Sequence, residues 1–159
     1  MTISEIFYLL STYGYVGAFM VSFLGTSSIF IVVPFYAIIF AMSKFLDPVL
    51  LITVSTLGST CGEFVGYGIG YGGRRFLEKK YKKYFQLCEK WFKENGFLTV
   101  LFFAATPLPD DIVGLIAGSS KYDKKKFFIS VLIGKAILTS MIVLTGRYSF
   151  EIMLNYLGL

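Results

Sequence analysis

The sequence predicts an all-α polytopic membrane protein, an inverted repeat of two units that are each a re-entrant helical hairpin followed by a transmembrane helix. Three observations lead there. The 159 residues are 55% hydrophobic and only 16% charged, against about a quarter charged in a soluble domain, with a mean hydropathy of +0.69. The basic residues cluster in two short segments that directly flank apolar blocks. Two of those blocks carry helix breakers where a spanning helix would be uninterrupted.

The first apolar block, Ile6 to Ser43, is uncharged throughout. As one helix it would extend ~57 Å, well beyond a ~30 Å hydrocarbon core. "GTSSIF" from Gly25, and Pro34 after it, offer a break near the middle. The spacing predicts a short helix over 3–13 and then a re-entrant hairpin over 15–42. The N-terminus lacks a basic n-region and a small-x-small cleavage pattern, so it reads as retained. The second block, 48–73, is interrupted only by Glu63 and reads as a span.

Residues 74–95 carry eight basic and three acidic side chains. Leu77, Tyr81, Tyr84, Phe85, Cys88, Trp91 and Phe92 recur there at helical spacing, which predicts an amphipathic helix on the cytoplasmic surface. It serves either to set topology or to recognise anionic headgroups. The third block, 96–120, holds "TPLPDDIVG". Basic loops at 74–95 and 121–126 both belong in the cytoplasm, so this block must leave and return on one side. Thr106, Pro107 and Pro109 supply a non-helical tip for such a hairpin, because proline removes a donor and pushes the preceding residue out of the α region. The fourth block, 127–146, is a span interrupted by Lys135.

A weak internal repeat matches this order. Ala41, Ser43, Asp47 and Gly58 recur, at one constant offset, as Ala117, Ser119, Asp123 and Gly134. Upstream, at a slightly larger offset, Tyr13-Gly14-Tyr15-Val16 resembles Asn95-Gly96-Phe97-Leu98. The units are then about 13–73 and 96–147, of opposite orientation, as in secondary transporters whose broken helices meet near the midplane.

Charges inside the membrane are the candidate site. Asp110 and Asp111 are placed to cap the half-helix expected to start near Ile112, and two adjacent carboxylates exceed what a cap requires. Glu63 and Lys135 lie too deep to reach the interface and must face the interior. They form either a structural ion pair or, with the aspartates, the lining of a polar groove. Gly58, Gly62, Gly66 and Gly70 repeat every four residues and mark a face for close helix packing. Arg147 reads as an interfacial anchor. With no histidine in the chain, histidine-based acid–base, nucleophilic and most transition-metal chemistry is excluded; no metal or cofactor is expected. Cys61 and Cys88 form no disulfide framework.

"ATPLPDDIVGLIAGSSKYDKKKFFISVLIGKAI" resembles the second re-entrant region and following helix of the DedA/VTT (SNARE-associated) membrane-protein superfamily, and "LGSTCGEFVGYGIGYGGRR" resembles the span after its first hairpin. The likeness covers roughly residues 13–147. It implies paired re-entrant hairpins and movement of lipids between leaflets, with Glu63, Asp110 and Asp111 at acidic family positions. "FFAATPLPDD" lacks the arginines of many bacterial members, which places the chain nearer a short, divergent branch.

The function expected is energy-independent lipid translocation, of scramblase or flippase type. No GxxxxGK[ST] loop is present for ATP coupling. A proton- or cation-coupled solute carrier and a non-transporting membrane organiser are the alternatives, and no nucleophile–base pair points to an enzyme. Membrane lipids are the expected partners, with anionic headgroups along 74–95; nucleic acid is not expected, and a homo-oligomer is an open option.

Overall fold

The computed structural model describes residues 3–27, 35–80, 82–106 and 111–157. Six helices follow one another: α1 (Ile3–Ser27), α2 (Phe35–Met42), α3 (Pro48–Lys80), α4 (Lys82–Ala104), α5 (Asp111–Ser119) and α6 (Lys124–Leu157). No strand occurs among the described residues.

Several boundaries differ from the sequence expectation. The short helix over 3–13 and the first arm of the hairpin are one continuous α1 of 25 residues. Gly14 does not interrupt it; the missing side chain there makes room for Leu46. The basic segment 74–95 is not an element of its own but is divided between the end of α3 and the start of α4. Gly72-Gly73 fails to stop α3, because the Arg, Leu, Glu and Lys that follow are good helix formers. α6 runs on to Leu157, well past Gly146, where the fourth apolar block ends. The half-helix expected near Ile112 begins one residue earlier, at Asp111.

Caps fix where the long helices start. The Asp47 carboxylate accepts from the Leu50 amide at 3.0 Å, and Asp123 accepts from the Lys126 amide at 2.8 Å. Each satisfies one of the donors that a helix leaves open at its N-terminus. α5 ends differently. Tyr122 N–H donates to the Ala117 carbonyl and Lys121 N–H to Gly118, with Lys121 at φ 53°. That is a Schellman end, with lysine in the left-handed position usually given to glycine.

Contacts define the directions. The Asp47 amide donates to the Tyr15 hydroxyl at 2.9 Å, so the chain leaving α2 returns to the level of the middle of α1. Gly58 of α3 lies on the Phe19 carbonyl and Gly62 on that of Phe23, so α1 and α3 run parallel. In the second half, Gly96 lies on the Tyr122 ring and Gly134 of α6 on the Leu101 carbonyl and Ala104. α3 and α6 are antiparallel: Tyr67 and Arg74 of α3 donate to the carbonyls of Tyr122 and Ser119 just before α6 begins, at 2.6 and 2.8 Å. At the other end Gly146 of α6 lies on Phe40 and Ser43, just before α3. The two basic segments therefore share one end of the molecule, where the Lys124 ammonium sits 5.4 Å from the Tyr71 ring.

The long helices are apolar on their outward faces and mixed on their inward ones. Ile129, Ile133, Ile137, Met141, Leu144, Tyr148 and Ile152 form an outward stripe along α6, with Met141 61% exposed. The inward face of the same helix carries Ser130, Lys135 and Thr139, all buried. α3 likewise turns Val49, Leu57, Val65 and Ile69 outward and Ser55, Thr56, Ser59, Thr60 and Glu63 inward. Outward faces this apolar, over an interior that also holds charge, suit hydrocarbon better than water. Pro48–Arg75 and Lys124–Ser149 are long and apolar enough to cross a membrane.

Candidate functional site

Glu63, halfway along α3, and Lys135, a third of the way along α6, meet where the two antiparallel helices cross. The Lys135 ammonium lies 2.9 Å from the Glu63 carboxylate, and the side chains are 1% and 3% exposed. Neither charge could be held there alone; a buried charge requires a partner and close hydrogen bonding. Gly114 of α5 leaves room beside the same carboxylate. A cavity of about 10 Å³ adjoins Glu63, lined also by Val100, Ala104, Val113, Gly114, Phe127 and Val131. That is space for about one water molecule. Of the two arrangements open from sequence, the ion pair is formed; the aspartates that would complete a polar groove lie outside the described side chains.

Around it lies a layer of hydroxyls that the sequence analysis did not single out. Ser55, Thr56, Ser59 and Thr60 of α3 and Ser22 and Thr26 of α1 are all buried, as is Thr139 of α6. Thr26 donates to the Ser22 carbonyl at 2.9 Å and across to the Ser59 carbonyl at 3.0 Å, fastening α1 to α3. The available signal was the spacing i, i+1, i+4, i+5, i+8 in "STLGSTCGE", which puts four hydroxyls and Glu63 on one side of α3.

Two apolar clusters close this layer from either end. On the basic side lie Tyr67, Phe92, Val100, Val113, Ala117, Phe127 and Val131, with Tyr122 packed against them. On the far side lie Ala18, Phe35, Ile39, Leu46, Leu51 and Val143. Tyr122 itself is outside the spans. Burial first, and then the Asp123 carboxylate, push its phenol above the ordinary value, so it packs as a neutral ring on Gly96 and edge-on to Phe92 at 5.7 Å.

The remaining predicted residues fall as follows. Gly58 and Gly62 face α1, while Gly70 faces the Leu115 carbonyl of α5, so the glycine face serves two neighbours. Gly66 is buried on the same face. Gly25 lies in α1 against the Phe35 ring, where α2 starts back. Thr106 follows the end of α4 and donates to the Phe102 and Phe103 carbonyls at 3.1 Å. Arg147 is exposed and 3.6 Å from Glu151. Pro34, Pro107, Pro109 and Asp110 lie outside the described residues; Asp111 is described as the first residue of α5 but not in its side chain.

An apolar exterior, two helices long and apolar enough to cross a membrane and an interior ion pair are consistent with a helical membrane protein. The family model for the VTT domain matches residues 33–148, and the chain belongs to that family, the DedA family of membrane proteins. It is 30% identical over 145 residues to an uncharacterised protein of Methanocaldococcus jannaschii, covering 86% of each chain. It is 27% identical over 108 residues to a Lactococcus lactis protein described as alkaline phosphatase-like, covering 60% of this chain and 50% of that one. No solved structure gives a significant match.

Proposed function

We propose that this chain moves a membrane lipid between leaflets without an energy source of its own, passing the polar headgroup through the layer around Glu63 and Lys135. Membership of a membrane-transport family sets the class. The observation that carries the reading is the sealed polar layer itself: a buried ion pair and seven buried hydroxyls held between two apolar clusters. Helix packing accounts for hydroxyls such as those of Thr26 and Ser59, which bond within and between helices, but not for a buried ion pair beside four hydroxyls without partners among the described residues. A permeation path in its closed state accounts for both.

The reading includes an inverted repeat of two re-entrant hairpins, and the recurrence of contacts supports it. Asp47 and Asp123, equivalent positions of the repeat, cap α3 and α6. Gly58 on Phe19 and Gly134 on Leu101 are the same contact made once in each half. Gly14 on Leu46 repeats as Gly96 on Tyr122, and Gly70 on α5 as Gly146 on α2. The apolar clusters also correspond: Ala18, Leu46, Leu51 and Val143 become Val100, Tyr122, Phe127 and Tyr67. Two equivalent gates about one polar layer are the arrangement alternating access requires. Asp111, the first residue of α5, and its sequence neighbour Asp110 are proposed as polar residues of the same path, and the basic end as cytoplasmic.

For the tail, apolar grooves of about 380 and 370 Å³ run beside the end of α2, lined by Ala37, Ile38, Met42 and Phe45 and by Gly14, Met42, Phe45 and Leu46. Reconstitution with fluorescent lipid and external dithionite tests the reading. Loss of inner-leaflet signal faster than in protein-free liposomes is expected, and no acceleration by folded protein contradicts it. The water-sized cavity at Glu63 favours a second reading, a proton- or cation-coupled carrier of a small solute. In that case lipid translocation is absent and a pH gradient drives solute uptake.

A further inference from the structure

Buried serine and threonine hydroxyls in helices ordinarily donate to the carbonyl three or four residues earlier. Ser59, Thr26 and Ser130 do so here. Ser22, Ser55, Thr56 and Thr60 do not: their hydroxyls are at least nine-tenths buried and find no hydrogen-bond partner among the described residues. Four unmatched hydroxyls in one low-dielectric layer are costly unless something polar reaches them.

A fifth such hydroxyl, Ser120, stands apart beyond the end of α5, beside the basic segment; the four in α1 and α3 lie on one side of the ion pair. At the repeat offsets, Ser55, Thr56 and Thr60 correspond to Val131, Leu132 and Ala136, and Ser22 to Ala104. Each of these four hydroxyls thus has an aliphatic counterpart in the α4–α6 half, whereas Ser59, which is satisfied within α3, falls on Lys135. From Glu63 the hydroxyls extend ~12 Å along α3 to Ser55, away from the basic end. Toward the basic end the pair meets aromatic rings instead: Phe127 packs on Phe64 at 5.3 Å and on Tyr67 at 4.9 Å.

We infer that the α1–α3 interface holds a file of water molecules that wets the Glu63–Lys135 pair from the face opposite the basic segments and from that face only. Water is the ligand class that fits, because hydroxyls that can both donate and accept line the wall and the two charges at its inner end already offset each other. Under the proposed function, on which this rests, the central layer is first reached from the non-basic side. At two equivalent positions the gate there is aliphatic, Leu51 and Val143 standing where the other gate has Phe127 and Tyr67, although Phe35 also belongs to it.

The test uses single cysteines at Ser55, Thr60 and Ala117 in a background of Cys61→Ala and Cys88→Ser, in sealed vesicles of each orientation. Silver ion, close to water in size, is applied outside, and unreacted thiol is then counted with a maleimide after denaturation. Ser55→Cys and Thr60→Cys are expected to react about tenfold faster from the non-basic face, and Ala117→Cys, fully buried in the apolar cluster of the basic side and away from the cavity at Glu63, from neither. Equal reaction from both faces, or none at Ser55 and Thr60, overturns the inference. Ser22→Cys reads the opposite wall if a substitution on α3 prevents folding, as judged by monodispersity in detergent. Labelling requires no transport, so one-sided reaction in a protein that moves no lipid would overturn the proposed function and leave the wetted interface standing.

Discussion

The Lys135 ammonium lies 2.9 Å from the Glu63 carboxylate, on two antiparallel helices, with neither side chain more than 3% exposed. The pair joins the two halves of the chain at their crossing, so its removal is expected to act on both stability and transport. Glu63→Gln or Lys135→Met alone leaves one buried charge uncompensated and should destabilise by about 3–5 kcal/mol. Glu63→Gln with Lys135→Met should cost clearly less than the sum. Thermal unfolding in detergent, run as a double-mutant cycle, measures the coupling; additive losses would show that the charges do not sense each other.

Glycines on α3 divide by what lies beyond them. A Cβ at Gly70 would overlap the Leu115 carbonyl, and one at Gly118 of α5 the Tyr67 carbonyl, whereas Gly68 and Gly72 face open space. Gly70→Ala and Gly118→Ala should each destabilise by about 1–3 kcal/mol through overpacking. Gly68→Ala and Gly72→Ala should be neutral or stabilising by up to about 1 kcal/mol, the helix-propensity difference. Equal effects at Gly68 and Gly70 in the same melting assay would contradict the α3–α5 packing.

Asp47 and Asp123 cap the two spanning helices through equivalent bonds of 3.0 and 2.8 Å. Alanine at either should cost about 1 kcal/mol, and asparagine or serine should restore most of it. Matching losses at the two positions are the expected signature of a repeat; a loss at only one would argue against equivalence.

Lys121 is an exposed residue at φ 53° in the Schellman end of α5. Lys121→Gly should stabilise by about 1 kcal/mol, since glycine carries no Cβ penalty in that region, and Lys121→Val should destabilise. Melting temperatures of the two variants would move in opposite directions if the turn is as described.

Charged residues in hydrocarbon are conspicuous in sequence because they are so costly, which is why Glu63 and Lys135 were legible as interior groups. Their pairing was legible only as one of two options, because the register between helices far apart along the chain is set by tertiary packing. The hydroxyl layer went unread for a physical reason. Serine and threonine are near-neutral in hydropathy, and a helix usually satisfies their hydroxyls internally, so Ser55, Thr56 and Thr60 look unremarkable until their missing partners are seen. Helix ends were the least legible. Blocks bounded by charge stop at Gly73, but the backbone does not feel hydropathy, and Arg74 to Lys80, mostly good helix formers, continue α3.

The most direct test of the central claim compares lipid translocation by wild type, Glu63→Gln, Lys135→Met and the double variant in the dithionite assay. If the pair is the lock of the central layer, wild type translocates, each single variant slows with an unmatched charge in the path, and the double variant recovers a rate at or above wild type. Four identical rates, in proteins shown to be folded, would remove the Glu63–Lys135 layer from the lipid path.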